Sequence, residues 1–156
     1  MKKLGHGFYW QDLHVGDRFV TFGRTIQDHD IIAFCNTVGM VEPLFTDAEY
    51  RKRHSAMQGF AAPGALVYAV AEGLALAGTG HGTGVAFLQT EIDVKAPVVA
   101  GDTVSVRIEV TVARPSSKGR GLVRTRNEVV NQRNEIVLVY TPLRLMAGRP
   151  DAVTSV

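Results

Sequence analysis

Glu72 is the residue whose chemistry most needs explaining. It interrupts residues 60–77, an apolar stretch otherwise built mainly from Ala, Val, Leu, Gly and aromatic side chains. Burying a carboxylate without a partner costs several kcal/mol or forces its pKa upward. Glu72 is therefore either a general base or nucleophile with a tuned pKa, or a residue turned to solvent or to an ion-pair partner. The other reactive types are dispersed. His6, His14, His29, His54 and His81 pair with no His or Cys at metal-ligand spacing, so no metal is expected. His29 lies between Asp28 and Asp30 and reads as solvated, whereas His54 and His81 lie in or beside loops that could border a pocket. Cys35 has no neighbouring His to activate it and reads as a buried thiol. The cluster Gly78, Gly80, Gly82 and Gly84 lacks the Lys-Ser/Thr ending of a phosphate loop and precedes a strand, so it reads as a connector. Lys118, Arg120, Arg124 and Arg126, with Arg114, form the densest basic group, either an anion site or a solvated strand edge.

These residues must be positioned by one domain's worth of chain. The sequence has 156 residues, 46% of them hydrophobic and 21% charged, which is ample for a packed core. The formal charge of +2 is spread without a basic block or acidic tail, so nucleic acid is not an expected partner. One cysteine excludes an internal disulfide, and residues 1–12 lack the apolar core of a signal peptide, which points to a reducing, cytoplasmic location. Pro63 and Glu72 argue that residues 60–77 form a buried helix and not a membrane span.

The alternation at 18–25 predicts a strand, and Asp28 is expected to cap a helix carrying Ile31, Ile32, Phe34, Cys35 and Val38 on one side and ending at Gly39. Pro43 falls in a connection, Asp47 caps a short polar helix, 48–54, anchored by Tyr50, and a flexible link follows. Pro63 suits the first turn of a long helix over 64–77, whose small residues allow close backbone approach. Extended runs follow at 85–94, 103–113, 121–131 and 135–146, separated by turns at 100–102 and 131–134 and a loop at 115–119. One buried helix with four long strands and an early one describes an α+β domain with an antiparallel sheet wrapped around the helix, the hotdog architecture. The expected domain is 1–156, with its core at about 15–146.

Five segments, in this order and spacing, resemble the MaoC-like dehydratases and (R)-specific enoyl-CoA hydratases. They are Val15-Gly16-Asp17, the helix segment 25–34, Glu42-Pro43-Leu44-Phe45-Thr46-Asp47 with Tyr50, Pro63-Gly64-Ala65-Leu66, and the strand-turn segment 94–104. The resemblance implies an acyl-CoA substrate, with coenzyme A entering as part of that substrate and no other cofactor. It further implies addition or removal of water across the α,β-bond, and sites formed between the subunits of a homodimer or larger homo-oligomer. The family's loop motif is Asp, any residue, Asn, Pro, any residue, His, and its Asp and His activate water and shuttle a proton. Aligned through Pro43, those positions hold Met40, Glu42 and Phe45. Neither a thioether nor a phenyl ring exchanges a proton, so Glu42 becomes the candidate replacement for the Asp unless it is an exposed loop residue. Pro63-Gly64 stands where the family reads His-Gly, and the Gly64 amide, backed by the helix dipole, is the candidate donor to the thioester oxygen. Met40, Phe45 and Pro63 are then expected beside the substrate, whose depth would depend on how Met40, Phe45, Met57, Phe60 and Tyr68 pack. Arg120 and Arg124 would meet the phosphates.

Hotdog thioesterases offer a looser resemblance. Many carry an acid eight residues after the helix-start glycine, the spacing from Gly64 to Glu72. A third possibility, suited to loss of both Asp and His, is an acyl-thioester binding protein without catalysis.

Overall fold

The computed structural model describes residue 1 and residues 3–150; the part of the expected domain at 151–156 lies outside the described residues. Strands β1 (Arg18–Val20) and β2 (Arg24–Thr25) precede three helices, α1 (Asp28–Val38), α2 (Pro43–Thr46) and α3 (Ala48–His54). The long helix α4 (Gly64–Thr79) follows, then β3 (Gly84–Gln89), β4 (Ile92–Val94), β5 (Thr103–Pro115), β6 (Gly121–Val130), β7 (Ile136–Tyr140) and β8 (Leu143–Met146). All pairings are antiparallel. The main path runs β1-β5-β6-β7-β4, with β8 between β6 and β3 and with β2 on β5.

The α+β hotdog expectation holds. Leu66, Val67, Val70, Ala71 and Ala75 of α4 are buried in one cluster with inward residues of the sheet, among them Val104, Val106, Ile108, Val129 and Leu138. The period-two burial of β5 and the near-continuous apolar face of α4 are the two patterns that meet there. No helix among the described residues is long and apolar enough to cross a membrane.

Several local expectations are corrected. The strand at 18–25 splits because the Thr21 hydroxyl accepts from the Val106 amide at 2.9 Å, where a ladder would use a carbonyl. The pairing sum then slips by one residue between Val20↔Arg107 and Arg24↔Val104. The cap of α1 is Gln27 and not Asp28; the Gln27 amide donates to Asp30 Oδ2 at 2.8 Å. On α1, Ile31 and Cys35 are buried, but Ile32 and Val38 are exposed. Pro43 opens α2 instead of lying in a plain connection. Tyr50 stacks on His54 at the surface and does not anchor α3 in the core. The link before α4 is tied down at its end, where Ala62 and Ala100 amides donate to Val98 and Phe60 carbonyls at 2.8 Å. The runs at 85–94 and 135–146 each break in two. The breaks face one another, with the Thr141 amide donating to Glu91 at 3.1 Å and Pro142 offering no amide of its own.

Candidate active site

Gly64 is the first residue of α4 and lines a cavity of about 360 Å³. Pro63 places it there: its extended backbone, φ −54° and ψ 138°, turns the chain into the helix, and its carbonyl accepts from Leu66 and Val67 at 2.9 and 3.1 Å. The amides of Gly64 and Ala65 have no acceptor among the described residues, as the first turn of a helix dictates. A Cβ built on Gly64 would come within 3.3 Å of Val94 Cγ2, so the glycine also permits the close approach of β4. The remaining wall is largely apolar, including Val67, Val98, Val137 and Leu138, and Lys95 is the only titratable side chain among the described residues that line it. The arrangement can hold an apolar chain and donate to an oxygen at its head.

The expected partners of Gly64 do not converge on it in this chain. Met40 and Phe45 are half-buried and pack against the main core cluster, as do Phe60 and Tyr68. Glu42, the N-terminal boundary residue of α2, is exposed and its carboxylate has no hydrogen-bond partner among the described residues. Arg124 is half-buried and spent on the sheet, donating to the Thr141 carbonyl and the Gln89 side chain, each at 2.9 Å. Arg120 is exposed just before β6. The cavity residue Leu138 pairs with Val129, so Arg124 and Arg120 lie five and nine residues farther along β6 and its leading loop. At about 3.4 Å per residue that is about 17 and 31 Å.

Glu72 has an ion-pair partner. Its carboxylate meets Arg144 of β8, with the two side chains 14% and 10% exposed. Sequence reasoning missed Arg144 because its flanking Leu143 and Leu145 suggest an outward Arg, whereas Arg144 and Met146 are the buried residues of β8. The pair borders a second cavity of about 540 Å³ that includes His81 and Phe87. Eight residues of helix separate Glu72 from Gly64, a rise of about 12 Å, and the two residues line different cavities.

Behind the pair lies a further polar group that the sequence reading did not reach. Tyr140 Oη, both amide atoms of Asn127 and Thr125 Oγ1 are buried with no well-formed hydrogen bond among the described residues, although Asn127 and Glu72 lie close enough to Tyr140 to influence its phenol. Burial pushes the Tyr140 phenol far above its ordinary value, with the Glu72 charge acting in the same direction, and Tyr68 shifts upward for the same two reasons. Cys35 is buried, and burial raises its thiol pKa, which disfavours the reactive thiolate.

A sheet wrapped on a helix, with a free helix-start amide above an apolar cavity, defines a hotdog domain. The chain belongs to the family described as FAS1-like, dehydratase domain region, which it matches over residues 13–139. Among solved structures it is similar to a MaoC-like dehydratase from Rhodospirillum rubrum, at 29% identity and TM-score 0.79, covering 92% of this chain and 99% of that one. It is also similar to a monoamine oxidase regulatory protein from Archaeoglobus fulgidus, at 27% identity and TM-score 0.81, covering 93% and 97%. A putative MaoC domain dehydratase from Chloroflexus aurantiacus shares the fold at 22% identity and TM-score 0.87, and this chain spans 46% of it. No curated protein matches the chain.

Proposed function

We propose that the protein is a MaoC-type hydratase or dehydratase for acyl-CoA thioesters, with a non-standard acid–base apparatus. The observation that carries this reading is the free Gly64 amide at the head of an apolar cavity, in a chain of the dehydratase family. In hydration, water supplies a hydroxyl to the β-carbon and a proton reaches the α-carbon, while charge moves onto the thioester oxygen. The Gly64 N–H, at the positive end of the α4 dipole, donates to that oxygen. The acyl chain lies against Val67, Val137 and Leu138. Glu42 is the only titratable group of segment 40–45 and takes the proton from water in this reading. Coenzyme A enters as part of the substrate, and the acting unit is a homodimer.

A second reading, thioester binding without turnover, is favoured by the lack of any carboxylate or imidazole among the described residues lining the Gly64 cavity. Thioester hydrolysis through Glu72 is less well supported, because its carboxylate is engaged by Arg144.

One incubation with short and medium enoyl-CoA substrates separates the three. Double-bond loss without free thiol, reduced in Glu42→Gln, is the expected outcome. Thiol release abolished by Glu72→Gln transfers the assignment to hydrolysis. No reaction, together with saturable acyl-CoA binding, establishes the second reading.

A further inference from the structure

The cations that flank the Gly64 cavity lie on α3 and just beyond β4, far from Arg120 and Arg124. Met57 lines that cavity and also an open groove of about 580 Å³ shared with Arg51, Lys52 and Ser55. The two spaces therefore meet at one side chain. Lys95 lines the cavity itself. The Arg51 guanidinium is held in place by donation to the Leu44 carbonyl at 2.8 Å and by the Phe60 ring, 4.1 Å away at its centroid, and it keeps further N–H donors free. Lys52 is paired with Glu49 and Lys95 with Asp93, in both cases with the charged groups largely in solvent. Exposed pairs of this kind contribute little, so a phosphate competes with them readily.

We propose that Arg51, Lys52 and Lys95 form the phosphate-binding site for the carrier portion of the thioester, with pantetheine passing Met57 to reach Gly64. The proposal rests on the Gly64 cavity being the thioester site. The phosphate adjoining pantetheine is common to coenzyme A and to the phosphopantetheine arm of a carrier protein; the adenosine phosphates belong to coenzyme A alone.

Calorimetric titration of the full chain with coenzyme A, phosphopantetheine and pantetheine tests this. In the variant Lys52→Glu, whose residue lines the groove but not the Gly64 cavity, coenzyme A affinity should fall about tenfold and its salt dependence should flatten, while pantetheine affinity stays unchanged. Arg51 is left in place because it also supports Phe60. An equal fall for phosphopantetheine supports the site and assigns its cations to the shared phosphate; a fall confined to coenzyme A supports it and assigns them to the adenosine phosphates. Equal losses for coenzyme A and pantetheine, or a larger loss in Arg120→Glu, overturn the site. A wild-type protein that binds pantetheine and coenzyme A equally overturns the phosphate site alone, whereas one that binds neither overturns the Gly64 reading with it.

Discussion

The amide of Gly64 can be removed while the helix it heads is kept. Gly64 is the first helical residue, where proline is well tolerated, and Pro63 before it already has the extended backbone that a following proline requires. Gly64→Pro should therefore keep the helix, with a loss of thermal midpoint similar to that of Gly64→Ala because both add a Cβ against Val94, but lower turnover by about 100- to 1,000-fold, the usual effect of losing one oxyanion donor. Gly64→Ala retains the N–H and should retain most of the rate, with a modest loss as Val94 gives way. Comparable rates for the proline and alanine variants would remove the amide from the mechanism. Glu72 calls for the opposite kind of experiment, because its role in this structure is to neutralise Arg144. Glu72→Ala leaves a guanidinium buried and unpaired and should cost about 3–5 kcal/mol in urea unfolding. The double variant Glu72→Leu/Arg144→Met removes both charges and should recover most of that loss. A Glu72 variant as stable as wild type would show that the pair does not hold the fold, and would return Glu72 to the list of catalytic candidates.

Two turns lock one end of the sheet, and a single acid joins them. Asp102, at the end of the 99–102 turn, accepts from the Val99 amide at 3.0 Å and from Gln132 Nε2 at 2.6 Å, while Gln132 Oε1 accepts from the Thr103 amide at 3.0 Å. Burial pushes the Asp102 pKa up, but the hydrogen bonds from Gln132 and Val99, with Arg133 nearby, outweigh it and hold the carboxyl below its usual range. A carboxyl more acidic in the folded state contributes its stability above the unfolded pKa of about 3.9, and loses it as pH falls through the lower folded value. Asp102→Asn should thus be less stable than wild type by about 1–2 kcal/mol at neutral pH. That gap should close progressively below about pH 4. A gap constant with pH would mean that the charge contributes nothing. This lock also shows what the chain makes readable. Local signals located the turns, the Gly39 end of α1 in its left-handed conformation, the Asp47 cap accepting from Tyr50 at 2.9 Å, and the Pro63 start of α4. Each is settled within four residues. The breaks at 90–91 and 141–142 were not readable, because they depend on strands far apart in sequence aligning their interruptions. The same holds for the site: the resemblance singled out Gly64, but much of its wall comes from residues 94–98 and from Val137 and Leu138 of β7, and the Glu72 partner lies 72 residues away.

Along the edge of the molecule, β3 and β4 each use one side for pairing, with β8 and β7 respectively, and have no strand on the other side among the described residues. Val85, Phe87, Leu88, Ile92 and Val94 on this edge are 45–58% exposed. A long apolar edge without proline is an invitation to pair with another strand, and natural proteins either blunt such an edge or cover it. Here Glu91 and Asp93 put charge on the β4 half of the edge, whereas the β3 half, Gly84–Gln89, carries none. Closed two-fold association of two copies covers it symmetrically without leaving a further edge to propagate. The functional site is part of this argument, because Val94 is both an edge residue and a wall of the Gly64 cavity. A partner strand laid against β4 would add to the wall of that cavity beside Val94. The wild-type chain should therefore sediment at twice its 16.9 kDa mass, and Leu88→Lys, which puts a charge in the middle of the edge, should yield monomer. If the partner completes the cavity, the monomeric variant should also bind acyl-CoA at least about tenfold more weakly, although Leu88 does not line the cavity. A monomeric wild type would leave the edge without this role; a monomeric variant with undiminished affinity would show that one chain carries the whole site.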